Sequence, residues 1–140
     1  MVQERLYVQL DLASQNFLRA HPDLVYADAA LSGKTDGALA DLVSPLVIEP
    51  DGTVVPLQHG FARAFALGNL HEASLRTLAL TWHREQYHAF QALCQRVFQR
   101  VTAPAALPFA NWYEVIGQEA EEIGKIRING IKHQKQHENE

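Results

Sequence analysis

The sequence predicts an α+β fold in which a small antiparallel sheet, built on a β-hairpin, packs against a long helical segment and a C-terminal helix. Three observations carry this. Two β-type runs, residues 46–49 and 53–55, flank Pro50-Asp51-Gly52. Apolar side chains at Leu75, Leu78, Trp82, Phe90, Leu93, Val97 and Val101 recur at three or four positions, with Gln86 the one gap. Beyond a breaker at 102–108, which holds Pro104 and Pro108, a further amphipathic pattern runs over 109–126.

The hairpin has a local mechanism. Pro50 fixes φ, the Asp51 carboxylate can accept from nearby backbone, and Gly52 is free to take φ > 0. Pro56 has no N–H to give a ladder, so the second strand should end there or lie at an edge. Asn69, with Glu72 three residues on, is the expected start of the helical region 70–101, and Ser74 is a second candidate cap. That region reads as one helix, or as two broken between Trp82 and Gln86.

Toward the N-terminus, Leu6, Val8, Leu10 and Leu12 alternate with Tyr7, Gln9 and Asp11, as in a half-buried strand. Ser14 should cap a short helix that His21-Pro22 stops, and residues 24–26 read as a short strand. Residues 32–37 contain Gly-Lys-Thr, but Asp28 stands where a phosphate loop needs glycine, so they read as a polar loop. In the C-terminal helix Trp112, Val115, Ile116, Ala120, Ile123 and Ile126 form the apolar face. Asn129-Gly130 marks a stop, leaving a single domain over 1–131 and a disordered polar tail over 132–140.

A chain of 140 residues, 47% hydrophobic and 20% charged, is long enough to bury a core without disulfide or metal staples. Its formal charge of -4 gives no reason to expect a phosphate backbone as partner, so nucleic acid is not expected. Cys94 is the only cysteine, which excludes an intramolecular disulfide and fits a reducing compartment. With no signal-like N-terminus and no apolar run of spanning length, the expectation is a cytoplasmic protein without a membrane partner.

An apolar strand, then Pro50-Asp51-Gly52-Thr53-Val54, a strand ending in Pro56, and Phe65-Ala66-Leu67-Gly68-Asn69-Leu70-His71-Glu72-Ala73-Ser74-Leu75 follow in that order. Over roughly a quarter of its length the chain thereby resembles the SPASM-type C-terminal domain of radical S-adenosylmethionine enzymes. The resemblance implies a domain that typically carries auxiliary iron–sulfur clusters on cysteines. Where those clusters would be held, this chain departs from the pattern. Leu57 stands where a cysteine usually follows the proline, residues 40–44 have none, and the three-cysteine motif of the catalytic barrel is absent. A cluster is usually held by four thiolates, so one cysteine cannot carry it, and no cofactor is expected.

What the resemblance then implies is a non-catalytic, cluster-less SPASM-like domain that binds a peptide, a small molecule or a partner protein, a radical S-adenosylmethionine enzyme among them. The alternatives are an accessory fragment of such an enzyme system, or a metal-binding protein using His59, His71 and Cys94. His59, Arg63 and His71 follow the hairpin, where the family places cluster chemistry or substrate contacts, and are the candidate ligand-binding residues; the competing reading is a turn histidine bonded locally and an arginine paired with Glu49 or Glu72. No catalytic set emerges: His83 and His88 would diverge on a helix, and no Gly-x-Ser-x-Gly elbow marks a serine. His133 and His137 have one-turn spacing but sit in the tail without a third ligand. Unbroken, a 70–101 helix would be about 45 Å long at a rise of roughly 1.5 Å per residue, more than a hairpin covers. Its stripe at Trp82, Leu93, Val97 and Val101, with the open edge of the N-terminal strand, predicts a twofold homodimer; a monomer would instead need the 109–126 helix to cover the whole stripe, with the long helix broken near Gln86.

Overall fold

The structure, a computed structural model, describes residues 12–26, 39–43 and 45–137, of which 40, 41 and 131–137 are described by their backbone alone. The α+β class holds, with the strands paired in two small antiparallel sheets. The larger runs in the order β2 (Leu46–Ile48), β3 (Thr53–Pro56), β4 (Gly68–Asn69), and the smaller joins β1 (Leu12–Ser14) to β5 (Phe109–Asn111). Five α-helices accompany them among the described residues: α1 (Gln15–Ala20), α2 (Leu39–Leu42), α3 (Leu75–Glu85), α4 (Tyr87–Thr102) and α5 (Trp112–His137). No helix among the described residues is long and apolar enough to cross a membrane.

The hairpin forms as its turn residues dictate, with Val47 opposite Val55 and Ile48 opposite Val54. Gly52 N–H donates to Glu49 C=O at 2.9 Å, and Glu49 N–H donates to Thr53 C=O at 2.8 Å. Asp51 Oδ1 accepts from Thr53 N–H at 3.0 Å. Gly52 itself has φ +84°, the conformation required where a tight turn ends in a bulge. A Cβ there would lie 3.0 Å from both Asn69 Oδ1 and His71 Cδ2. Gly52→Val is therefore expected to lose about 2 kcal/mol or more, from a β-branched residue forced to positive φ and crowded from outside. Urea denaturation checks this; an unchanged midpoint would mean that the turn does not need its glycine.

Asn69 does not start a helix. Its Nδ2 donates to Asp51 C=O at 2.9 Å and its Oδ1 accepts from His71 N–H at 2.9 Å, so the amide ties the hairpin tip to the following turn. The helix starts from the second candidate, where Ser74 Oγ accepts from Thr77 N–H at 3.2 Å. The helical region is two helices, parted at Gln86, whose N–H still bonds to Trp82 C=O at 2.8 Å. Ser14 caps α1 as expected, accepting from Phe17 N–H at 3.1 Å.

Residues 24–26 are not a strand. Pro22–Val25 form a 3-10 helix that ends at Tyr26 in the left-handed region, φ 56°, because Pro22 supplies a helical φ at the first position and so short an apolar run has no period of its own. The alternating segment 6–12 lies outside the described residues except for Leu12, the first residue of β1, and the Gly-Lys-Thr loop at 32–37 lies wholly outside them.

The core gathers around α4. Trp82, Leu93, Val97 and Val101 are buried within one chain, Val97 completely. The stripe expected to need a second copy is covered internally, because the break at Gln86 divides the region into shorter helices and α1 and α5 pack against α4. α5 runs through the expected stop at Asn129-Gly130 and takes in residues 132–137, assigned above to a disordered tail. One helix-interior glycine opposes a helix by only about 1 kcal/mol, and no proline follows it. Ile126, placed above on the apolar face, is 71% exposed: residues 125–130 are all exposed, so α5 has outrun the core by that point.

Candidate functional site

The site is built on residues 57–65, between β3 and β4. β3 ends at Pro56, and Leu57 takes φ +67°. Gln58 N–H donates to Pro56 C=O at 2.8 Å across it, closing a three-residue turn of the rare, strained kind. The Leu57 side chain is buried, and its N–H donates to Pro45 C=O at 2.9 Å. Where the resemblance places a cysteine there is thus a sharp turn around a buried aliphatic group, which offers a cluster no ligand. Cys94 lies in the core on α4, where burial pushes its thiol pKa up and suppresses both metal binding and nucleophilic character.

Phe61 and Phe65 anchor the segment. Both are buried, their ring centroids 6.0 Å apart in an edge-to-face contact, while His59 and Arg63 remain exposed. α5 closes on the segment at two points. Gln58 Nε2 donates to Tyr113 C=O at 2.9 Å, beside Gly117, and Ala64 rests on Gly124, whose missing Cβ would lie 3.4 Å from Ala64 Cβ.

At the floor beside this contact sits a buried carboxylate. Glu49 Oε1 accepts from Gly60 N–H at 2.7 Å. Oε2 lies 2.7 Å from Arg63 Nη2 as an ion pair, yet without the alignment of a hydrogen bond, and is shut off from solvent. The same Nη2 donates to Asp51 Oδ2 at 3.1 Å, so one guanidinium spans a buried and an exposed carboxylate. Hydrogen bonds from Thr53, its backbone N–H first, and then Arg63 hold the Asp51 carboxyl below the usual carboxylate range.

A depression of about 390 Å³ opens over these groups, with His59 and Glu121 on its wall. A second, of about 470 Å³, continues along α5 past Ala62, Ala64, Lys125, Arg127 and Ile128, and shares Arg63 and Glu121 with the first. Together they form one groove between residues 59–64 and α5. The Arg127 guanidinium stands 5.2 Å from the Phe65 ring centroid, and Lys125 Nζ donates to Glu122 Oε1 at 2.9 Å. A third depression, of about 550 Å³, lies by β5 among Leu12, Val101, Leu107 and Phe109, and no buried charge faces it.

Of the three candidate residues, the structure brings His59 and Arg63 into one depression and leaves His71 outside it. His71 is tied through its N–H to Asn69, and its ring edges the hairpin tip at Gly52. His59, His71 and Cys94 do not converge, since the thiol is in the core and both histidines are exposed. Among the described residues no group of three or more His, Cys, Asp or Glu is placed to hold a metal ion. The groove presents the charges of Glu49, Asp51, Arg63 and Glu121 beside apolar surface at Ala62, Ala64 and Ile128. The Arg63–Glu49 pairing is one of the two that the sequence offered for this arginine, whereas the burial of Glu49 and the part of Glu121, Lys125 and Arg127 in the groove were missed. Glu121, Gly124, Lys125 and Ile128 do share a helix face by their spacing, which was a readable signal; the burial of Glu49 left none. Comparison of the chain with protein-family models, with curated proteins and with solved structures finds no match.

Proposed function

We propose that this chain is a non-catalytic, cluster-less SPASM-like domain that binds a peptide segment of a partner in the groove between residues 59–64 and α5. The observation that carries the reading is the Glu49–Arg63 pair at the groove floor. A buried carboxylate loses several kcal/mol of hydration, which its bond from Gly60 N–H and its pairing with Arg63 offset, and the pair fixes a guanidinium at the edge of the groove. Beside it Ala62, Ala64 and Ile128 offer an apolar shelf. Apolar contact for affinity with a few fixed charges for register is how binding clefts are generally composed. The SPASM-like kinship is supported by the order of hairpin, Leu67-Gly68-Asn69 and helix, in which Gly68 and Asn69 each have a structural task. On that kinship the expected partner is a radical S-adenosylmethionine enzyme or the peptide it modifies.

Selection of a random displayed peptide library on the immobilised protein tests this. Enriched peptides are expected to compete with one another and to lose binding to Glu121→Trp, an exposed substitution that fills the junction of the two depressions. Peptides that bind the variant equally well, or a selection that enriches none, would defeat the reading.

A further inference from the structure

We infer, resting on the peptide-binding reading above, that the groove selects a peptide in the polyproline II conformation with a basic and an acidic side chain three residues apart, the basic one seated at the His59 end and the acidic one at the Arg127 end. The two depressions carry opposite charge. At the His59 end the carboxylates of Glu49, Asp51 and Glu121 face the single guanidinium of Arg63. At the other end Arg63, Lys125 and Arg127 face the single carboxylate of Glu121.

Each end also has a group poised for a ligand. At the His59 end Glu49 is paired with Arg63 and shut off from solvent, which leaves the exposed carboxylates of Asp51 and Glu121 to receive a peptide ammonium or guanidinium. Arg127 is held over the Phe65 ring and has no ion-pair partner among the described residues, so its guanidinium is positioned yet free to receive a carboxylate. Lys125 is engaged only by Glu122, an exposed pair that a ligand carboxylate can outbid.

The span follows from the helix. Glu121 and Arg127 are six residues apart on α5, about 9 Å at the helical rise. Three residues of polyproline II chain cover about 9 Å at roughly 3.1 Å per residue, and with three residues per turn the side chains at positions one and four lie on one face. The two residues between them lie over Ala62 and Ala64, a shallow shelf that suits small side chains.

The test is a nitrogen–proton correlation NMR titration of the full chain with the blocked hexapeptide acetyl-Ala-Lys-Ala-Ala-Glu-Ala-amide. Amides of residues 59–64 and 121–128 are expected to shift, and the affinity to fall steeply with added salt. The peptide with both charges replaced by Gln, and one with Lys and Glu adjacent, should each bind roughly three- to tenfold more weakly, as should the first peptide to Glu121→Lys and to Arg127→Glu. Equal affinity for the charged, uncharged and adjacent-charge peptides overturns the inference. If these peptides leave the groove amides unmoved while library-selected peptides still shift them, the charge rule is wrong and the peptide-binding reading stands. If selected peptides fail as well, both fall.

Discussion

Gly68→Ala is expected to destabilise the chain by roughly 2–6 kcal/mol, taking about 1–3 for a side chain in a glycine-only backbone region and about 1–3 for overpacking. Gly68 has φ +136°, and a Cβ built on it would lie 2.6 Å from Leu78 Cδ2. Leu78 is buried and cannot swing into solvent, so the contact must be relieved by moving α3 or β4. β4 is held to the hairpin by the Val54–Gly68 pairing and by Leu67 N–H donating to Val54 C=O at 2.8 Å, which leaves it little freedom. A double-mutant cycle with Leu78→Ala separates the two contributions: in the Leu78→Ala background the overpacking should disappear and the backbone strain remain. If Gly68→Ala is equally damaging in both backgrounds, the close approach to Leu78 contributes nothing. Chemical denaturation gives each corner of the cycle.

Trp82→Ala should remove about 3–5 kcal/mol, the usual loss for a fully buried aromatic residue cut back to alanine. Trp82 is 2% exposed and packs on Phe90 and Tyr87, with ring centroids 5.5 and 6.2 Å away. Its Nε1–H donates to Phe65 C=O at 2.9 Å across a buried boundary. Trp82→Phe keeps a ring and loses this bond, leaving a buried carbonyl unpaired, and is expected to lose about 1–3 kcal/mol. The same bond fixes the segment on which Phe65 supports Arg127, so Trp82→Phe should also speed amide exchange over residues 59–66. Exchange there that matches the wild type would show that Trp82 stabilises the core without holding the groove.

The parts of this fold that could be read from the sequence are those whose physics is local. Pro50-Asp51-Gly52 sets a turn through its own dihedrals and the Asp51 carboxylate, Ser14 and Ser74 cap the helices that follow them, and the three-to-four spacing marks the faces that α3 and α4 bury. Tertiary structure decided what depends on neighbours distant in sequence. Asn69 has the chemistry of a helix cap, but the hairpin tip lies alongside and its amide bonds there instead. The sequence left open whether a second copy or the C-terminal helix covers the stripe from Trp82 to Val101, and in the fold α1 and α5 pack against α4. The groove was equally hidden. Glu49 reads as one of two carboxylates that could pair with Arg63 and Glu121 as a wet helix face, and only folding buries the first and sets the second in the same depression, because no local pattern records which distant charges will meet.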